Sequence, residues 1–454
     1  MADNRYEIDM LHGHLWGKII RYTIPIMLSG ILQLLYNAAD NIVVGNFAAQ
    51  KEAALAAVTS TGALINLIVN LFIGLSVGTS IVVANYRGAG KADDVSATVH
   101  TSVAISVIFG VFLMCVGIPF AKPLLTLMSS PDDVIDLAAL YVKIYFAGMP
   151  FNMVYNFGSA VLRAVGDTRR PMIILIISGA VNVVLNLIFV IVFHLDVAGV
   201  ALATIIAQGI SAVMVINCLI RSKGDIHLSL KKLRVDKCKL KELTKCGLPA
   251  GLQGTLFSIS NVLIQSTINS YGTAFVAGNG AASNLEGFVS CCTNSMYQAA
   301  LAFTGQNYGA KKPERILETL KVTVVYAFIF GIVGGALVYS FGSPLIRLYC
   351  RDADASIISA GLTRMGYLML PYFTCASMDV LNGMMRGMGK TVLPMIITLV
   401  GVCVVRVLWI AFVYPLNPVP GMLYVSYPMT WTLTSVVLVI CFLKQLNKEK
   451  QRMQ

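Results

Sequence analysis

Charge is scarce in this chain. Of 454 residues only 12% are Asp, Glu, Lys or Arg, about half the share found in an ordinary soluble domain. Two or three soluble domains would each need a polar shell that this composition cannot supply. With 57% of residues apolar, a disordered chain is excluded as well. Metal and redox motifs are missing too: there is no Cys-x-x-Cys pair, and the five histidines show no ligand spacing beyond His12-Gly-His14. Most of the ten cysteines lie in apolar stretches or in a basic linker, so no disulfide framework is expected. The N-terminus lacks a short apolar core with a small-residue cleavage site, so no cleaved signal peptide is expected. No catalytic cluster stands out. Gly387-Met-Gly-Lys-Thr391 is similar to the end of a phosphate-binding loop, but Met384 occupies the position of its first glycine and no strand precedes it. No enzyme activity, cofactor or nucleic-acid partner is expected.

Long apolar runs are what the chain has instead. Its mean hydropathy is +0.75, and twelve segments approach or exceed the roughly 20 apolar residues that a membrane span needs. They run over 17–44, 53–83, 96–118, 133–162, 171–193, 198–220, 247–270, 274–304, 317–340, 357–385, 392–413 and 422–443. The class implied is an all-α polytopic membrane protein with twelve transmembrane helices. When the loops are assigned to alternating sides, 27 of the 34 basic residues fall on the side holding both termini. Six fall opposite, at 51, 122, 143, 347, 351 and 364, and Arg406 lies in mid-span. Positive-inside bias then places both termini in the cytoplasm and requires an even number of spans. The expected location is the plasma membrane.

The chain repeats itself. Pro25 is matched by Pro249, Pro123 by Pro344, Met149-Pro150 by Leu370-Pro371 and Lys143 by Arg364, all at offsets of 221 to 224. Asn85-Tyr86-Arg-Gly-Ala-Gly-Lys91 is answered by Asn307-Tyr308-Gly-Ala-Lys311. Arg163-Ala-Val-Gly-Asp-Thr-Arg-Arg-Pro171 is answered by Arg386-Gly-Met-Gly-Lys-Thr-Val-Leu-Pro394. These matches define an N-terminal six-helix bundle at 1–220, a basic cytoplasmic linker at 221–246 and a C-terminal six-helix bundle at 247–454. Because six is even, both copies enter the membrane from the same side. The two bundles are then related by a pseudo-two-fold axis along the membrane normal, an arrangement used by secondary transporters that work by alternating access.

Carboxylates inside a span are costly and mark functional candidates. This chain has three: Asp40, Glu286 and Asp379. Arg406 is the one basic residue read as lying deep in a span. In span 1, Gln33, Asn37 and Asp40 recur at i, i+4 and i+7 and so share a helical face. Asn152 and Asn156 in span 4 and Asn182 and Asn186 in span 5 repeat the i, i+4 spacing, and Thr204 adds a hydroxyl in span 6. Such oxygens suit a Na⁺ cage or a setting for a protonatable carboxylate, and they equally suit plain helix-to-helix bonding. In the second half Asn261, Gln265 and Asn269 share a face of span 7. There a carboxylate could pair with Arg406 or stand unpaired in a cavity and attract cations.

Twelve spans in two repeats, the Pro-containing span 1 with Tyr36-Asn-Ala-Ala-Asp40 and Val44-Gly45, Arg163-Ala-Val-Gly-Asp167, and Val197-Ala-Gly-Val-Ala-Leu-Ala-Thr204 together resemble the multidrug and toxic compound extrusion family. The resemblance implies a V-shaped pair of bundles and efflux driven by entry of Na⁺ or H⁺. It places the coupling-ion site of the first lobe at Asp40, Asn156, Asn182, Asn186 and Thr204, with Na⁺ held by Asp40, Asn182, Asn186 and Thr204. Gln33, Tyr36, Asn37, Asn152, Gln265, Glu286, Asp379 and Arg406 remain as cavity candidates. Some members carry Asp where this chain has Asn186, and an acid near Phe257-Ser258; their span 10 acid aligns near Cys375, one turn before Asp379. The expected activity is a cation-coupled antiporter, working as a monomer on amphipathic cationic or zwitterionic small molecules. The alternative is a flippase for a lipid-linked precursor, which should present several cations to meet phosphate.

Overall fold

A computed structural model describes residues 6–47, 51–127, 134–350 and 354–453; Arg5 and Arg351 of the charge count lie outside them. Among the described residues there is no strand, and twelve long helices account for almost all of the chain. They are α1 (Leu15–Phe47), α2 (Lys51–Gly88), α3 (Ala92–Leu127), α4 in two pieces (Ile135–Ala147 and Met149–Ala164), α5 (Arg169–Leu187, continuing as the π-helix Ile188–Val192) and α6 (Asp196–Arg221). Then follow α7 (Lys237–Asn269), α8 (Thr273–Gly309), α9 (Pro313–Ser340), α10 in two pieces (Ala355–Leu368 and Tyr372–Gly387), α11 and α12 (Pro420–Met453), with a two-turn helix Gly342–Tyr349 after α9. α11 alternates between α and π geometry: Val392–Thr398 is α, Leu399–Val404 π, Val405–Leu408 α and Trp409–Val413 π. Each helix falls on one apolar segment of the sequence.

A proline stands at each of the breaks in α4 and α10. The two pieces of α4 meet at Gly148 with a 49° bend, just before Pro150, whose ring opposes the preceding carbonyl and whose nitrogen has no proton to give. Pro371 marks the equivalent break in α10. Pro313 and Pro420 instead open helices, where a missing N–H costs nothing. Asp354 caps α10 by accepting from Ile357 N at 2.9 Å.

Nine of the twelve helices, counting α4 as one, are long and apolar enough to cross a membrane; α7, α8 and α10 fall short on hydropathy among the described residues. Those three are where the second half concentrates its polar side chains.

The internal repeat is visible in backbone geometry. α2 ends in a turn where Gly90 N donates to Arg87 O and Lys91 N to Tyr86 O, and α8 ends with the same pair from Lys311 N to Tyr308 O and Lys312 N to Asn307 O. Gly90 has φ +70°, and Lys311 takes φ +56° in its place. The turns after α4 and α10 also match, with Gly166 at φ +98° and Gly389 at φ +73°. Such left-handed closures satisfy the last carbonyls of a helix.

Packing groups the chain into two units. One comprises residues 6–8 with Leu28–Leu252, and the other comprises Asp9–Met27 with residues 253–453. This grouping differs from a division at 221–246, and the reason is α7. A Cβ on Gly74 would stand 2.1 Å from Gly251 N, and one on Gly78 would stand 2.4 Å from Leu243 O. The Gly74-x-x-x-Gly78 face of α2 thus seats the first turns of α7 backbone to backbone, the contact on which helix association in lipid draws.

The basic stretch 221–246 is held to the same unit. Ser229 N donates to His100 Nε2 at 3.1 Å, Asp236 N donates to Thr101 Oγ1 at 3.2 Å, and Lys239 pairs with Asp94 at 2.7 Å. Burial opposes the Lys239 charge, but Asp94, Tyr86 and Glu242 outweigh it and hold the ammonium above the ordinary lysine range.

In the second unit the segment before α1 lies along the α8–α9 turn. Asn307 Nδ2 donates to Met10 O at 3.2 Å, and Arg315 reaches the carbonyls of Met10, His12 and Gly13. Fully buried Tyr22 meets Phe303 edge-on at 5.6 Å.

Candidate functional site

In the first unit Asp40 sits near the end of α1, facing α5. The i, i+4 spacing on α5 brings Asn182 and Asn186 to the same face, both buried. Asn186 Nδ2 donates to Asp40 Oδ1 and lies 3.3 Å from Asn182 Oδ1. Asn182 Nδ2 in turn approaches Thr204 Oγ1 of α6 at 3.4 Å, and Thr204 gives its proton to Val200 O at 2.9 Å. Thr204 therefore keeps one lone pair to offer.

The chain of amides ends in an open acceptor: Asn186 Oδ1 is buried and has no hydrogen-bond partner among the described residues. A buried oxygen left this way costs free energy unless a donor or cation meets it. One carboxylate, two amide oxygens and a hydroxyl are hard oxygen donors, the chemistry that suits Na⁺ or a bound proton.

The set brought together is thus Asp40, Asn182, Asn186 and Thr204. Asn156 stands apart, because its Nδ2 is committed within α4 to Asn152 O and Oδ1, both at 2.9 Å. Gln33 and Asn37 lie exposed on the Asp40 side of α1. Tyr36 lies flat on α5: a Cβ on Gly179 would fall 1.9 Å from Tyr36 Cε2, and the phenol donates to Ile176 O at 3.4 Å.

In the second unit the ionic partners differ from those the residue types suggest. Arg406 pairs with no carboxylate among the described residues. It donates to Thr430 Oγ1 at 3.0 Å and stacks over the Tyr427 ring at 3.9 Å from its centroid, a favourable place for a desolvated guanidinium. Glu286 is bound instead by Arg364, Nη2 to Oε2 at 2.6 Å. Arg364 Nη1 donates to Asn279 Oδ1 at 2.9 Å, which also accepts from Tyr424 at 2.8 Å.

The charge count placed Arg364 in a loop opposite the termini. It is buried, at 7% exposure, inside the first piece of α10. Its position within the apolar segment 357–385 was the signal. Asp379, on the second piece of α10, makes no ion pair or hydrogen bond among the described residues. Gln265 donates to Asn269 at 2.9 Å and, with Glu286, lines a cavity of about 330 Å³.

Known proteins share the fold and the internal repeat. The family model described as MatE matches residues 25–188 and again 249–412, one match per internal repeat. The chain is 28% identical to the probable multidrug resistance protein YpnP of Bacillus subtilis over 403 residues, 88% of each chain. It is 26% identical over 404 residues to the probable multidrug resistance protein NorM of Thermotoga maritima, covering 87% of this chain and 85% of that one. Its fold superposes with TM-score 0.90, at 22% identity, on a multidrug resistance MATE family transporter solved in an outward-facing conformation, covering 98% and 99% of the two chains. The chain belongs to the MatE family of multidrug and toxic compound extrusion transporters: it is a multi-pass, all-α membrane protein that moves small molecules.

Proposed function

We propose that the protein is a cation-coupled antiporter that exports drug-like or metabolic small molecules by alternating access, with Asp40 as the group that takes up Na⁺ or H⁺. The observation that carries this reading is the buried Asn186 Oδ1, which stands beside the Asp40 carboxylate and has no hydrogen-bond partner among the described residues. An arriving cation would meet Asp40, the two amide oxygens and Thr204 Oγ1. A proton would need only Asp40, with Asn186 turning its amide oxygen to accept. Either event removes a buried negative charge and so changes which packing of α1 against α5 and α6 is preferred. Entry of one cation gains about 2.3 kcal/mol per 100 mV of membrane potential, a driving force for export. The basic residues near both termini support a cytoplasmic placement of those ends in the plasma membrane.

A lipid-precursor flippase is the less favoured reading, since Arg364 is committed to Glu286, which leaves Arg406 and interfacial Lys143 of the three cations weighed for meeting phosphate. The test is efflux of a fluorescent drug from proteoliposomes with the Na⁺ and proton gradients imposed separately. Asp40→Asn is expected to abolish gradient-driven efflux; unchanged efflux would sink the assignment.

A further inference from the structure

The basic stretch between α6 and α7 carries a short loop that is held at both ends and open between them. Its ends are pinned to α3, by Ser229 N on His100 Nε2 at 3.1 Å and by Asp236 N on Thr101 Oγ1 at 3.2 Å. Between the pins Leu230, Leu233 and Val235 are 61%, 38% and 37% exposed, and Lys231, Lys232 and Arg234 stand exposed among them. None of these three cations makes an ion pair or a side-chain hydrogen bond among the described residues. The neighbouring acids are engaged elsewhere: Asp236 accepts from Cys238 N and Lys239 N, Asp225 pairs with Arg87, and Asp94 and Glu242 meet Lys239. Exposed apolar side chains interleaved with cations suit a surface that has an apolar interior under an anionic skin.

The level of the loop points to the same surface. His100 and Thr101 lie eight and nine residues into α3, about 12–14 Å from its Ala92 end along the helix axis, so the turn joining α2 to α3 projects beyond the pins. The apolar belt of α3 opens only six residues past Thr101, where Val107, Ile108, Val111 and Phe112 are each at least 40% exposed. α7 marks the same boundary. Lys237, Lys241 and Lys245, then Leu248 and Leu252, are all exposed and fall at i, i+4, i+8, i+11 and i+15, so one helical face turns from cationic to apolar within three residues. We propose that residues 230–235, with Lys237 and Lys241, form a docking surface for anionic phospholipids of the leaflet at this end of the helices. Leu230, Leu233 and Val235 enter the boundary between headgroups and acyl chains, and the cations hold the lipid phosphodiesters. Each Lys or Arg close to an anionic leaflet contributes roughly fivefold to binding.

The test is fluorescence quenching with the full chain carrying Leu233→Trp, reconstituted in mixtures of phosphatidylcholine and phosphatidylglycerol in which one or the other is brominated on its acyl chains. Quenching beyond that of the wild type, whose three tryptophans supply the background, reports lipid at the loop, and its dependence on composition gives the relative binding constant of the two lipids. A preference for phosphatidylglycerol of about tenfold or more is expected at ~0.05 M NaCl, falling toward unity at ~0.5 M. Adding Lys231→Gln, Lys232→Gln and Arg234→Gln together is expected to lower that preference at least about fivefold. These substitutions should leave the thermal midpoint in pure phosphatidylcholine unchanged. Quenching no greater than in the wild type, which would mean a loop in water or under another macromolecule, overturns the proposal, as does equal binding of the two lipids or a preference that survives the triple substitution. A triple variant with a lowered midpoint also counts against it, because the cations would then serve the fold. If Leu233→Trp does not fold, Leu230→Trp at the more exposed position takes its place. No gradient or drug enters these measurements, so efflux that proved independent of Asp40 would remove the coupling mechanism and leave the lipid preference standing.

Discussion

Substituting Gly179 with Ala probes the junction between α1 and α5. The new Cβ would lie 1.9 Å from Tyr36 Cε2 and 2.1 Å from Cζ, whereas carbon atoms in contact rest about 3.5–4.0 Å apart. The ring must withdraw by about 1.5 Å or more. Overpacking of this kind costs about 1–3 kcal/mol. Tyr36 stands one turn before Asp40, so the displacement also pulls on the contact between Asp40 and Asn186. Gly179→Ala is therefore expected to lower both the thermal midpoint of the purified protein, followed by tryptophan fluorescence, and gradient-driven drug efflux. Tyr36→Ala removes the ring and with it the clash. The double variant should then be more stable than the sum of the single effects by about 1–3 kcal/mol. Additive losses, or a Gly179→Ala protein as stable as the wild type, would refute the steric argument.

Asn182→Ala and Asn186→Ala should weaken ion-driven efflux in proteoliposomes far more than Asn156→Ala, because Asn156 is bonded within its own helix. Along α2, Gly74→Ala should lower the thermal midpoint, by about 1–3 kcal/mol of overpacking against Gly251. Gly62→Ala, with nothing within 4 Å among the described residues, should leave the midpoint unchanged or raise it. Glu449 is titratable outside the membrane: burial raises its carboxyl, but Lys390, Tyr308 and Arg452 outweigh that and hold it below its ordinary value of 4.5. A lowered folded value means the stabilisation is present above pH 4.5 and lost as pH falls below it. Wild type and Glu449→Gln should therefore differ in thermal stability at pH 7, and the difference should shrink progressively as pH is taken below 4.5.

The helices were legible because their cause is one-dimensional: a run of apolar residues, interrupted by basic turns, is written along the chain. The repeat was legible for the same reason, and the matching turns at Gly166 and Gly389 are its backbone form. Partnership was less so. Glu286 and Asp379 were weighed against Arg406, whereas Glu286 chose Arg364. Arg364 counts with the outer charges in the sequence, yet its guanidinium sits inside an apolar segment. Asn156 shows a subtler limit. The i, i+4 spacing that puts Asn152 and Asn156 on one face also lets them satisfy each other, so a shared face does not imply a shared ligand. The modest hydropathy of α7, α8 and α10 carried the hint that the second half would build its own polar interior.

The seating of α7 on Gly74 and Gly78 bears on how the protein is made. Residues 237–252 complete the first unit, so a ribosome that has delivered all six N-terminal helices has not yet supplied the piece that covers this face of α2. The second unit has the opposite problem, for it draws on Asp9–Met27, synthesised before any of its other helices. A gene cut at the linker would therefore yield two fragments that each lack a segment held by the other, and co-expression should recover more folded protein than either fragment alone.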